Sequence, residues 1–133
     1  MRPAWSVILL TTLIGAGQGL FLALFAADAY DAARGKVVLF GGDGAGGNLA
    51  DTWEWNGTTW TQRIPSTNPA ARYGHAMAYD SARGVTVLFG GHNPNGYMSD
   101  TWEWNGANWV QRNPVNSPSA RRYHAMAYDS GRG

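Results

Sequence analysis

Cysteine is absent from the chain, and that one absence removes several kinds of chemistry together. No disulfide framework, zinc–thiolate site, iron–sulfur cluster or cysteine nucleophile can form. Net charge is nearly absent too, since ten Lys and Arg stand against nine Asp and Glu, a formal balance of +1. Such a chain has no basic stripe and no acidic tail, so steering toward a polyanion is lacking and nucleic acid is not an expected partner. Charge is scarcest at the start, where Met1 to Ala27 carries Arg2 and no other charged residue.

That opening stretch reads by itself as one N-terminal hydrophobic helix, residues 1–28. The 24 residues from Ala4 to Ala27, rising about 1.5 Å each, would reach roughly 36 Å, beyond the ~30 Å hydrocarbon layer of a bilayer. Membrane contact is therefore expected through residues 4–27. A cleaved secretory signal is the competing reading, with Arg2 as its basic start and Ala27-Asp28-Ala29 as a small-x-small cleavage site. Gly15 and Gly19 have the GxxxG spacing that lets a second helix approach. Orientation stays open, because Arg2 and the amino terminus oppose Arg34 and Lys36. The run MRPAWSVILLTTLIGAGQGLFLALFA resembles the start of the membrane-anchor subunit of dimethyl sulfoxide reductases. That resemblance implies membrane insertion beside partner subunits that receive quinol electrons. It stops at Ala27, and no later residue inherits quinol chemistry from it.

The remaining chain, residues 29–133, repeats itself. Asp51, Trp53, Trp60, His75 and Tyr79 recur as Asp100, Trp102, Trp109, His124 and Tyr128, each 49 residues on. Tyr30, Asp31, Gly35, Phe40, Gly41 and Gly42 recur at the same offset as Tyr79, Asp80, Gly84, Phe89, Gly90 and Gly91. Self-similarity at such a period marks a repeat architecture. Within one period, His75–Asp80, Val85–Phe89, Thr101–Trp104 and Trp109–Arg112 are short runs rich in aromatic and β-branched residues, and each predicts a strand. Asn56-Gly57 and Asn105-Gly106 predict type I′ hairpins. The Pro-containing stretches Ile64–Ala71 and Asn113–Ala120 predict irregular links between repeats. The expected units are a partial first repeat over 29–71, a second over 72–120 and the start of a third at 121–133. Phe25–Ala29 does not match the Arg-x-x-His-Ala-Met run of the later repeats, so the first repeat is expected to lack its opening strand.

A strand ending in Gly-Gly (VVLFGG, VTVLFGG), a variable loop, an Asp-Thr-Trp-Glu-Trp strand and then a spaced Trp resemble the kelch-repeat β-propeller family, including the central-domain repeats of galactose oxidase. The resemblance implies an all-β fold: a kelch-type β-propeller fragment of about two four-stranded antiparallel blades. It also implies packing roles for Gly41, Gly42, Gly90, Gly91, Trp53, Trp60, Trp102 and Trp109. Glycine permits close backbone approach, and indoles bury large areas between sheets. His75 and His124, at equivalent positions, are read as structural hydrogen-bonding groups. Galactose oxidase-like chemistry would need a cysteine–tyrosine crosslink beside copper, which this composition excludes.

No catalytic constellation, metal site or cofactor is assigned. Gly42-Asp43-Gly44-Ala45-Gly46-Gly47 matches GxGxxG, yet it leads into a strand and offers no helix N-terminus to a pyrophosphate. Asp51 and Asp100 are read as acceptors of turn amides. The loops Asp43–Ala50 and His92–Ser99 differ in composition between otherwise similar repeats, and variable loops on a fixed scaffold are where recognition concentrates. Asp43, Asn48, His92, Asn93, Asn95 and Tyr97 are therefore the candidate ligand-binding residues, for a protein or glycan on an extracytoplasmic, membrane-anchored or exported module. Two blades leave open edges, so further blades in cis or self-association is expected. Two other readings stand beside this one: a truncated or fused product without autonomous function, and an anchor subunit of an oxidoreductase complex.

Overall fold

The computed structural model describes residues 27–132; the expected N-terminal helix lies outside them as far as residue 26, while Ala27 and Asp28, expected at its end, belong to a strand because their backbone pairs with a neighbouring strand. Two antiparallel four-stranded sheets are built in nearly the same way. The first is formed by β1 (Ala27–Asp31), β2 (Lys36–Gly44), β3 (Gly47–Trp55) and β4 (Trp60–Arg63), in that order. The second takes β5 (Ala76–Asp80), β6 (Val85–Phe89), β9 (Thr101–Trp104) and β10 (Trp109–Arg112), again neighbour to neighbour. A small ladder of β7 (His92–Asn93) and β8 (Gly96–Tyr97) prolongs the β6–β9 hairpin. In the first sheet the same extension is continuous, because β2 and β3 remain paired out to Gly44↔Gly47 past an irregularity between Phe40 and Gly42.

Alternation along the strands sets what faces the core. Val38 and Phe40 of β2 face inward with Ala29 of β1, and Met77, Leu88, Trp104 and Trp109 of the second sheet close over them. The contact is keyed by hydrogen bonds as well as area. The Trp104 indole donates to Glu54 at 3.1 Å and the Trp109 indole to the Thr52 hydroxyl at 2.9 Å. Phe40 meets Trp109 edge-on at 5.3 Å. Buried indoles need such acceptors, since an unpaired N–H in the interior is expensive. Glu54 is in turn held by Arg34, Lys36 and Arg63 at 2.6, 3.3 and 3.4 Å. In the second sheet Glu103 takes Arg83 and Arg112 at 2.6 and 2.7 Å.

Two sequence expectations are corrected here. The first sheet does have its opening strand: β1 pairs with β2 from Ala27↔Phe40 to Asp31↔Lys36. Ladder pairing uses backbone groups that every residue but proline carries, so departure from the Arg-x-x-His-Ala-Met pattern does not prevent it. The Asn-Gly turns are not type I′, which requires positive φ at both central residues. Gly57 and Gly106 have φ of 98° and 94°, while neither Asn56 nor Asn105 has a positive φ. Each loop instead spans four residues, with the Asn56 side chain accepting from the Thr58 and Thr59 amides and the Asn105 side chain from those of Ala107 and Asn108.

Candidate functional site

The β2–β3 and β7–β8 hairpins and the link from β4 to β5 emerge at the same end of the two sheets. The link is stitched between them. The Arg72 carbonyl accepts from the Gly42 amide and the Arg72 amide donates to the Leu49 carbonyl, while Tyr73 and His92 exchange a pair of backbone hydrogen bonds. This close approach explains the diglycines. A Cβ on Gly41, whose φ is +57°, would lie 2.8 Å from the Leu49 carbonyl and 2.9 Å from that of Arg72. The buried Arg72 guanidinium then clamps the second sheet, donating to both Asp100 oxygens at 2.6 and 2.7 Å and to the Gly90 carbonyl at 2.8 Å.

An aromatic cluster around one cation stands at this end. The Arg122 guanidinium lies 5.5, 5.4 and 5.0 Å from the ring centres of Tyr73, Tyr97 and Tyr123, and it donates a short hydrogen bond to the Tyr73 hydroxyl. His92 sits edge-on between Tyr97 at 4.9 Å and Tyr73 at 5.5 Å. Tyr97 and Tyr123 nevertheless keep 58% and 57% of their surface exposed. Tyr123 is also the one non-glycine residue with positive φ among those described, at 58°. Its repeat mate is Gly74, with φ of 66°. A bulky side chain held where the repeat has glycine carries backbone strain, and such strain gathers at functional positions.

Of the residues singled out from sequence, His92 and Tyr97 fall in this cluster. Asn95 lies exposed on the tip of the same hairpin. Asn93 is buried and structural, donating to the Ala71 carbonyl at 3.1 Å and accepting from the Asn95 amide at 2.9 Å. Asp43 and Asn48 pair with each other at 3.1 Å on the neighbouring β2–β3 hairpin. Trp109 is in the core, Trp60 lies tilted against Trp55 on an outer face, and the Trp53 and Trp102 indoles donate to Asp51 and Asp100. These two aspartates thus serve indoles, and Asp100 also an arginine, in place of the turn amides expected. His124 reaches the Phe89 carbonyl at 3.0 Å. His75, 5% exposed, packs edge-on against Phe40. Its interaction with the Phe40 backbone falls short of the hydrogen bond that His124 makes, so the structural bond expected of it is not closed. Burial, reinforced by the nearby Arg72 charge, pushes its pKa down to about 3.

Sequence reasoning missed Tyr73, Arg122 and Tyr123. The signal was the divergence between repeats at one place, Tyr73-Gly74 against Arg122-Tyr123. Among the described residues no three His, Asp or Glu side chains gather as a metal site, and no helix is long and apolar enough to cross a membrane.

No protein-family profile matches the chain. A curated protein, one of the subunits of a sulfite dehydrogenase of Allochromatium vinosum, is 62% identical over 34 residues, which is 26% of this chain and 10% of that protein. The chain thus spans about a tenth of the length of the curated relative it matches. A likeness of that extent assigns neither fold nor activity to the rest of the chain.

Proposed function

We propose that residues 29–133 are kelch-type propeller blades acting as a non-catalytic binding module, and that the ligand is a glycan held at the Tyr73–Tyr97–Arg122–Tyr123 cluster. The observation that carries this reading is the pair of exposed tyrosine rings, one kept in a strained left-handed backbone, beside a cation and the polar tip of the β7–β8 hairpin. A tyrosine ring offers an apolar face for the C–H side of a sugar and a hydroxyl for its edge. Arg122 and Asn95 supply donors around it. A membrane-tethered or exported, extracytoplasmic location is part of the same proposal, since the apolar residues 4–27 precede the blades.

Titration of the full chain with an oligosaccharide library, followed by tyrosine fluorescence or NMR, tests it. Tyr97→Ala should weaken the binding found by about tenfold or more, a loss typical of a central aromatic contact, with the fold unchanged. Binding that survives both Tyr97→Ala and Arg122→Ala would place the ligand elsewhere. A protein that binds in place of any glycan, with the same sensitivity, would change the ligand class and keep the site.

A second reading joins the 34-residue match to a sulfite dehydrogenase subunit with the resemblance of residues 1–27 to a reductase membrane anchor, and has the chain associate with an oxidoreductase complex as an anchor-like component. Co-purification of the tagged chain with a redox-active partner from its native membrane would favour it.

A further inference from the structure

The two four-stranded sheets meet through one face of each, so among the described residues the other face of each is uncovered. The open faces repeat the closed interface residue for residue. Val38, Phe40, Thr52 and Glu54 form the side of the first sheet that Trp104 and Trp109 cover; 49 residues on, Val87, Phe89, Thr101 and Glu103 stand on the open side of the second. A cavity of about 300 Å³ opens there, with Val87, Phe89, Thr101, His124 and Met126 in its wall. Their repeat mates Val38, Phe40, Thr52, His75 and Met77 surround the place that Trp109 fills. Trp55 and Trp60, the mates of Trp104 and Trp109, lie tilted against each other with ring centres 5.4 Å apart, half-buried on the open face of the first sheet. Among the described residues, therefore, a socket without its indoles and a pair of indoles without a socket occur together.

A second, independent mismatch points the same way. Asp100 receives both arms of Arg72, but its mate Asp51 has a buried carboxylate oxygen with no hydrogen-bond partner among the described residues. The mate of Arg72 is Arg121, which is exposed and turns its guanidinium back on Ser119. Residues 125–129, Ala-Met-Ala-Tyr-Asp, repeat the β5 sequence yet are in no strand. They differ from β1, Ala-Asp-Ala-Tyr-Asp, at one place, where β1 puts Asp28 in the position of Met77 and Met126. Burial raises the Asp28 pKa, so β1 is the poorer occupant of its own sheet.

We propose that copies of this chain assemble head to tail. Residues 121–129 of one copy enter the first sheet of the next, beside β2 and in place of Ala27–Asp31; Arg121 pairs with that copy's Asp51, and its Trp60 fills the cavity beside Phe89. The contact is heterologous, so it closes as a ring or propagates as a filament. The inference rests on the internal repetition and is independent of the ligand reading.

Light scattering on the full chain in a mild detergent, coupled to size-exclusion chromatography, reads the assembly directly. The wild-type chain should form oligomers that dissociate on dilution. Arg121→Glu alone and Asp51→Arg alone should each weaken association by about tenfold or more, because each sets like charges against each other in a desolvated contact. An equimolar mixture of the two should regain it, since every interface then joins opposite charges. Trp60→Ala, which removes an indole from the open face and leaves the internal interface intact, should also weaken association, with an unchanged far-ultraviolet circular dichroism spectrum. A monomer at all concentrations, a mixture that fails to recover, or association that survives all three variants would overturn the proposal.

Discussion

Tyr123 and Gly74 occupy the same place in successive repeats with nearly the same backbone, φ of 58° and 66°, and only one of them has a side chain to accommodate. An L-residue in the left-handed region gives up roughly 1–2 kcal/mol. Tyr123→Gly should therefore hold or raise the melting temperature while lowering affinity at the tyrosine cluster, a trade visible by comparing thermal unfolding with ligand titration. His75 yields a prediction in pH. Its folded pKa of about 3 lies below the ~6.5 of an unfolded histidine, so between these values the unfolded chain binds the extra proton. Stability is then complete above about pH 6.5 and falls as the solution is acidified toward pH 3, by roughly 1.4 kcal/mol per pH unit at most. The charged and titratable groups near it, Arg72, Asp100 and His124, do not rescue the cation. In His75→Phe, which keeps a ring against Phe40, this slope should flatten when chemical denaturation is followed across that range.

Strands and turns add a contrast between two glutamates in equivalent places. Burial works against the ionised Glu54, but hydrogen bonds from Arg34 and the Trp104 indole outweigh it and hold its pKa below the usual value. Glu103 is lowered likewise by Arg112 and Arg83, again against burial. The difference is that Glu54 also carries an indole of the other sheet, whereas the partners of Glu103 are half exposed. Glu54→Ala should thus destabilise by about 3 kcal/mol, the scale of a buried charge network broken on one side. Glu103→Ala should stay near ~1 kcal/mol, as for more exposed pairs. Urea unfolding of the two variants checks the ordering. Both carboxylates have depressed values, so their contribution is present above the unfolded pKa and lost as pH falls through the folded one, a second acid limb that begins near the ~4.5 of an unfolded glutamate, within the range of His75. At this scale the sequence was informative about β6, β9 and β10, whose bounds follow from aromatic and β-branched runs between turn formers. It was misleading about β1, where a side-chain mismatch hid a backbone that pairs regardless. It was also misleading about the Asn-Gly turns, because Asn can cap two amides without taking positive φ itself.

For the whole molecule, head-to-tail assembly makes stability a function of concentration. If the folded chain associates and the unfolded chain does not, mass action raises the midpoint of unfolding as the concentration grows. A hundredfold increase should raise the melting temperature by several degrees in the wild-type chain, and Trp60→Ala should abolish most of that dependence. Differential scanning calorimetry at several concentrations measures both.

The repeat offset, the all-β character, the strands around each Gly-Gly and the exclusion of thiol chemistry were determined by the sequence by itself, because each depends on local pattern or on composition. His92 and Tyr97 were legible as candidates for the same reason, being where one repeat departs from another. What only the tertiary structure decided is pairwise and long-range: that Trp104 of one sheet finds Glu54 of the other, that Arg122 gathers Tyr73 from 49 residues away, that Asn93 points inward while Asn95 does not, and that among the described residues Asp51 lacks the arginine its mate possesses. A repeat pattern specifies each copy alike. Which copy lies next to which, and which face is left open, follows from the packing of whole sheets, where contacts are set by shape and distance and carry no mark in the chain.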